Sequence, residues 1–284
     1  MEELNFVGRA QTKIYDPAVA EAFFKSAGSP EAVAKGKTFF MENEKTGGIF
    51  SKGAKMYYVL DGEVSLLVGR KVIATITKED IFGEMATLAQ LPRSATAAAK
   101  TDCKVISLDE KQFRNAIEKT PDFALMLMNI IISRLRQTIT LLTASRHLAD
   151  DESMSKRSVF DRKLLASMVD EYEGHTPTHA PMHKVIITEG EVGAFMYLVL
   201  EGRVRVSIKD RHVETVGPGG VVGEMALVDQ APRIGTAVAE TDCTLLAINR
   251  KDFLVFAKTK PNFSLSLLKA LAERLRYMNT QFKQ

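Results

Sequence analysis

Two glutamate–arginine pairs, Glu84 with Arg93 and Glu224 with Arg233, sit in two copies of one pattern and are the residues of this chain best placed to do chemistry. Ile81 to Ala97 reads Ile-Phe-Gly-Glu-Met-Ala-Thr-Leu-Ala-Gln-Leu-Pro-Arg-Ser-Ala-Thr-Ala, and Val221 to Ala237 reads Val-Val-Gly-Glu-Met-Ala-Leu-Val-Asp-Gln-Ala-Pro-Arg-Ile-Gly-Thr-Ala. Gly83 and Gly223 let the backbone approach a ligand closely, and the Glu-Met-Ala segment after each can make one helical turn whose free N–H groups face an anion. A carboxylate in that turn repels phosphate but accepts hydrogen bonds from sugar hydroxyls, whereas arginine offers a planar fork to phosphate oxygens. The set suits a sugar phosphate, and it occurs twice.

On these residues the chain resembles the cyclic nucleotide-binding domain family, whose phosphate-binding cassette runs Phe-Gly-Glu-(Leu/Met)-Ala-Leu, a short spacer, then Pro-Arg-(Ser/Ala/Thr)-Ala-Thr. The resemblance covers almost the whole chain: from Met196 onward the second copy follows the first at a constant offset of 140, up to Arg134-Leu135-Arg136 against Arg274-Leu275-Arg276.

Composition sets the outer bounds. A chain of 284 residues with 45% hydrophobic and 26% charged residues suits about two globular domains. A formal charge of +3 without dense Lys/Arg runs implies no nucleic-acid partner and no membrane surface. The amino terminus, Met-Glu-Glu-Leu-Asn-Phe, is acidic where a signal peptide would be basic, and no apolar run of about 18 residues is expected, so the chain reads as cytoplasmic. Cys103 and Cys243, in matched Thr-Asp-Cys triplets, read as buried thiols.

Asp16-Pro17 has the form of a helix start closed at Gly28, and Ser29-Pro30 repeats that signal. Short strands are then expected over Thr38–Met41, Met56–Leu60, Val64–Val68, Val72–Ile76, Thr96–Ala99 and Cys103–Leu108, with turns at Asp61-Gly62 and Gly69-Arg70. Many short strands argue for a jelly roll. The long helix from Pro121 carries Leu125, Met128, Ile132, Leu135, Ile139 and Leu142 at coiled-coil spacing, and Leu268, Leu271, Leu275 and Met278 repeat it after Pro261. These seams could cover their own barrels, pair within one chain, or join two chains as a homodimer.

The fold expected is mainly β with flanking α-helices: two tandem jelly-roll cyclic nucleotide-binding domains, each closed by a long C-terminal helix. The first domain is placed at 1–148 and the second at 182–284. Between them, 149–181 reads as a helical piece around Val159, Leu164, Met168 and Tyr172, followed by a His/Pro loop. His175, His179 and His183 step by four, but Pro177 and Pro181 oppose the helix that would align them, and no metal is expected. Lys45 to Lys55, with Ile49 and Phe50, is a surface insertion absent from the second copy and is left without a role.

The resemblance implies cAMP or cGMP as ligand, no other cofactor, and binding without catalysis. The residues it points to are Phe82, Gly83, Glu84, Met85, Ala86, Arg93 and Ser94 in the first copy, with Val222, Gly223, Glu224, Met225, Ala226, Arg233 and Ile234 in the second. Counting from Arg93 by the family's spacing reaches Thr138 as a base-contacting residue; its counterpart is Met278, followed by Asn279. A hydroxyl at Thr138 and Ser94 against Met278 and Ile234 makes the two sites unequal. No nucleophile elbow, P-loop or metal-ligand set argues for an enzyme, and too few residues follow Arg276 for a helix-turn-helix output domain. The expected function is a cyclic nucleotide sensor that signals by conformational change to an unknown effector protein. The alternatives are an inhibitor like a kinase regulatory subunit, for which no Arg-Arg-x-Ser/Ala sequence is found in the first fifteen residues, and a passive binder.

Overall fold

The computed structural model describes residues 15–46, 53–145, 148, 158–171 and 177–281. Ile49, Phe50, His175 and Tyr172 lie outside the described residues. The chain forms two compact units, Met1–Ile130 and Ile131–Gln284.

In the first unit α1 (Pro17–Ala27) begins where Asp16 accepts from the N–H groups of Ala18 and Val19, with proline at the first helical position. Then come β1 (Ser29–Val33), β2 (Thr38–Phe40), β3 (Lys55–Asp61), β4 (Val64–Val68), β5 (Lys71–Ile76), β6 (Ile81–Phe82), α2 (Glu84–Ala89), β7 (Thr96–Ala99), β8 (Cys103–Asp109), α3 (Glu110–Ile117) and α4 (Pro121–Ala144). Two antiparallel sheets, β1-β8-β3-β6 and β2-β7-β4-β5, enclose a core of Phe40, Tyr57, Val59, Val64, Leu66, Phe82 and Val105. Helices cover one end, where the Phe23 and Phe123 rings stack with centroids 3.7 Å apart.

Ser29-Pro30 is a correction to the sequence reading: it opens an edge strand, not a helix. Pro30 stands opposite Ile106, and an edge strand tolerates the missing N–H. The short β6 and α3 are also absent from the sequence reading; α3 is started by a capping box in which Asp109 and Gln112 bond each other's backbone N–H.

The second unit holds α5 (Arg162–Glu171), β9 (Thr178–Ala180), β10 (Val185–Ile187), β11 (Phe195–Glu201), β12 (Val204–Ile208), β13 (Arg211–Val216), β14 (Val221–Val222), α6 (Glu224–Asp229), β15 (Thr236–Ala239), β16 (Cys243–Asn249), α7 (Arg250–Thr259) and α8 (Pro261–Gln281). Its sheets, β9-β16-β11-β14 and β10-β15-β12-β13, repeat the first pair. The stretch expected as a loop contains β9, held by β16 through pairs such as His179 with Thr244. Sheet pairing overrides the local Pro-rich signal there. Both cysteines are buried and free, as expected.

The C-terminal half of α4 belongs with the second unit. By length and composition alone α4 could cross a membrane, contrary to the expectation that no such run exists. Yet 56% of its apolar window is buried within the protein, as in a core helix. Met128, Ile132, Leu135, Ile139 and Leu142 of its seam are buried.

Candidate functional site

Each cassette turns on a glycine in the left-handed region, Gly83 at φ 80° and Gly223 at φ 82°, followed by a six-residue helix that stops at a left-handed glutamine, Gln90 or Gln230. A side chain could not be added at either glycine: a Cβ on Gly83 would sit 2.9 Å from the Lys55 carbonyl oxygen, and one on Gly223 would sit 2.5 Å from Arg233 Nη1. The sharp turn therefore depends on glycine for its dihedral and for the space beside the arginine.

Arg93 is 4% exposed, and two of its nitrogens brace the loop. Nη1 donates to the Gly83 carbonyl and Nη2 to the Lys55 carbonyl, each at 2.9 Å, while the guanidinium lies 3.9 Å from the centroid of the Phe40 ring. Its backbone is pinned to a turn: Asn43 N–H donates to the Arg93 carbonyl at 2.9 Å, and Arg93 N–H to the Glu44 carbonyl at 3.0 Å. Burial lowers the Arg93 pKa against the opposing pull of Tyr57, Glu44 and Glu84. Burial likewise pushes the Tyr57 phenol up to about 12. Nε of Arg93 is a buried donor with no hydrogen-bond partner among the described residues.

Arg233 repeats the brace. Nη1 donates to the Gly223 carbonyl at 2.7 Å and Nη2 to the Phe195 carbonyl. Gly190 N–H donates to the Arg233 carbonyl and Arg233 N–H to that of Glu191, both at 2.9 Å. Here the short loop supplies Gly193, whose Cβ would fall 2.0 Å from the Arg233 guanidinium carbon. Burial lowers this arginine's pKa too. A guanidinium has five N–H donors, so two backbone bonds leave three for an anion.

The second unit contains a cleft that gathers eight of its nine expected residues: Val222, Gly223, Glu224, Met225, Ala226, Arg233, Ile234 and Met278. Asn279 is not among its walls; its side-chain oxygen accepts from Thr138 Oγ1 at 3.4 Å. Thr138 is buried at 8% exposure. In the first unit, Phe82, Glu84 and Ala86 are buried, Gly83 and Met85 half-buried, and Ser94 exposed.

Among the cleft residues not expected as site residues are Glu214, Arg274, Leu135 and Ile139. Arg274, on α8, reaches Glu224 Oε1 with Nη1 at 2.5 Å and Glu214 with Nε at 3.0 Å and Nη2 at 3.3 Å. Although burial works against its charge, the Glu214 and Glu224 carboxylates hold its pKa above the ordinary arginine range. Burial raises the Glu214 carboxyl, with Arg274 opposing. Arg136, also on the wall, forms a two-nitrogen pair with Asp229 of α6 and donates to the Pro232 carbonyl at 2.9 Å. The recurring Arg-Leu-Arg triplet was the available signal for Arg274; Glu214 left none, because a charged residue in an alternating strand reads as solvent-facing.

His179 lies in β9 and His183 in a turn at φ 69°. Among the described residues no group of three or more His, Cys, Asp or Glu is placed to hold a metal.

A family model described as "Cyclic nucleotide-binding domain" matches residues 31–120 and 177–260. The Cyclic AMP receptor protein of Thermus thermophilus is 38% identical over 101 residues, 34% of this chain and 47% of that protein. A cyclic nucleotide-gated potassium channel of Rhizobium etli is 34% identical over 116 residues, 41% of this chain and 32% of that one. Among solved structures, the regulatory subunit of a cAMP-independent protein kinase A from Trypanosoma brucei aligns over 91% of this chain and 83% of its own, at 22% identity and a TM-score of 0.35. The chain spans less than half the length of those two curated relatives.

Proposed function

The chain belongs to the cyclic nucleotide-binding domain family, and on that premise we propose that both cassettes hold cAMP or cGMP and that occupancy is passed to a protein partner. The observation that carries this is the second cleft, where Gly223, Glu224 and Arg233 share a space with Met278. The turn and arginine meet the cyclic phosphate, Glu224 accepts from the ribose hydroxyl, and Met278 packs on the base. By the repeat, Phe82, Gly83, Glu84, Met85, Ala86, Arg93 and Ser94 do the same work in the first domain. The buried, unspent Nε of Arg93 supports an anion there, since an unmet donor inside the protein costs about 1–3 kcal/mol.

The chain acts by binding, not catalysis, and its effector is a protein; cytoplasmic action is part of the same proposal. Support comes from relatives named as a receptor protein, a channel and a kinase regulatory subunit. Titration calorimetry with cAMP and cGMP tests the reading. The chain should bind at least one of them at about micromolar affinity or better, and the Arg93→Ala/Arg233→Ala double variant should bind neither. No heat with the wild-type chain defeats it.

A further inference from the structure

We propose that Glu214 is a second seat for Arg274, positioning α8 so that the second site can take a nucleotide while that helix stays tied to its barrel. The inference rests on the reading above in one respect, that Glu224 turns to the ribose hydroxyl when nucleotide binds.

Arg274 makes four contacts with the barrel, and they are divided unevenly. Glu214 receives two, from Nε and Nη2; Val221 accepts one from Nη2 at 3.1 Å on its backbone carbonyl; Glu224 receives one, from Nη1. Drawing Glu224 toward a sugar removes a single contact and leaves the fork on Glu214 intact. The Arg274 side chain is only 11% exposed, so a guanidinium losing every carboxylate would be stranded away from water. A paired alternative on β13 prevents that. Glu224, at 4% exposure, has the same need in reverse: it must exchange one donor for another, and the ribose hydroxyl is the donor the bound state supplies.

The carboxylate at this register position belongs to one repeat. On β13 Glu214 stands opposite Val206, and in the equivalent register of the first domain Ala74 stands opposite Leu66. A methyl group accepts no hydrogen bond, so β5 offers no carboxylate at that place. The difference is chemical and lies at one position of a repeat whose arginines, Arg134 and Arg274, are matched.

The test is a double-mutant cycle read by hydrogen exchange of amides 268–278 in the full-length chain, first without nucleotide. Glu224→Gln alone and Glu214→Ala alone should each stay within about threefold of wild type, because one carboxylate still holds Arg274. The Glu214→Ala/Glu224→Gln variant should exchange at least about tenfold faster, beyond the product of the singles. Glu214→Asp in the Glu224→Gln background should keep the protection, which a mere packing role for the Glu214 stem would not explain. If the double variant does not fold, cAMP or cGMP added to the singles decides: nucleotide leaves α8 protected in wild type and speeds its exchange by about tenfold or more in Glu214→Ala. The proposal is overturned if Glu224→Gln alone releases α8 as fully as the double variant, or if nucleotide has the same effect with and without Glu214. Calorimetry on the same samples separates the two ideas. A chain that gives no heat with either nucleotide defeats the binding reading, while the nucleotide-free cycle still decides whether Glu214 holds α8.

Discussion

The two cassettes share a backbone and differ in what surrounds it. Both glycines are left-handed, both arginines brace the glycine carbonyl and the first residue of an earlier strand, β3 or β11, and both short helices end at a left-handed glutamine. The first arginine lies under an aromatic ring, Phe40, and keeps a spare buried Nε; the second lies against Gly193, where an added Cβ would meet its guanidinium. Ser94 is exposed where Ile234 lines a cleft, and Ala74 stands where Glu214 holds Arg274. The duplicated cassette thus keeps its turn and its arginine, while the residues proposed to tune affinity and to couple the site to a helix diverge.

The largest effect should come from the arginines. Arg233→Ala removes the cation proposed to meet the phosphate together with bonds to the Gly223 and Phe195 carbonyls, and the second site should lose roughly a hundredfold or more in affinity, two charged hydrogen bonds being worth about 3 kcal/mol or more. Calorimetry of that variant should retain only the first site, and Arg93→Ala only the second. If both sites survive in Arg233→Ala, the shared-cradle half of the comparison breaks.

Next comes the glycine that makes room for the second arginine. Gly193→Ala places a methyl within 2.0 Å of the Arg233 guanidinium carbon, so the arginine must move and the brace is lost. Its thermal midpoint should fall by several degrees, corresponding to a loss of about 1–3 kcal/mol for overpacking. An unchanged midpoint with unchanged second-site affinity would show that the tight loop is not what seats Arg233.

How far such differences could be read in advance varies with the kind of interaction. Repeated Gly-Glu-Met-Ala…Pro-Arg spacing is local, and the sequence carries it in full; strands β4 and β7 are legible for the same reason, because alternation is written in neighbouring residues. Ser29-Pro30 and His179 mislead because their strands exist through partners, Ile106 and Thr244, far along the chain. Glu214 is the hardest case. Its partner is an arginine sixty residues away, and a glutamate in a strand gives no sign that it faces inward.

A smaller effect should follow from exchanging Ser94 and Ile234. A hydroxyl restored by Ile234→Ser should strengthen the second site by about tenfold if it reaches the phosphate, and Ser94→Ile should weaken the first by a similar factor. Competition binding in single-site backgrounds, Arg93→Ala or Arg233→Ala, measures each separately. No change in either would mean that the residue after the arginine does not distinguish the sites.

The smallest effect is one of pH. Burial raises the folded-state pKa of Glu214 above its unfolded value, so the folded chain holds this proton more tightly. That contribution is full below the unfolded carboxylate range and is lost as pH rises through the raised value. Wild type should therefore lose stability relative to Glu214→Gln over that interval, seen as converging or crossing melting temperatures. Parallel curves would place Glu214 at an ordinary pKa.

The central claim is that one chain holds two unequal cyclic nucleotide sites, and titration calorimetry of the wild-type chain against its two single-arginine variants tests it most directly. The account predicts two ligands per chain in the wild type and one in each variant, with different residual affinities for cAMP and cGMP. Two identical residual sites would contradict the inequality, and a wild-type chain that takes up neither nucleotide would contradict the sites themselves.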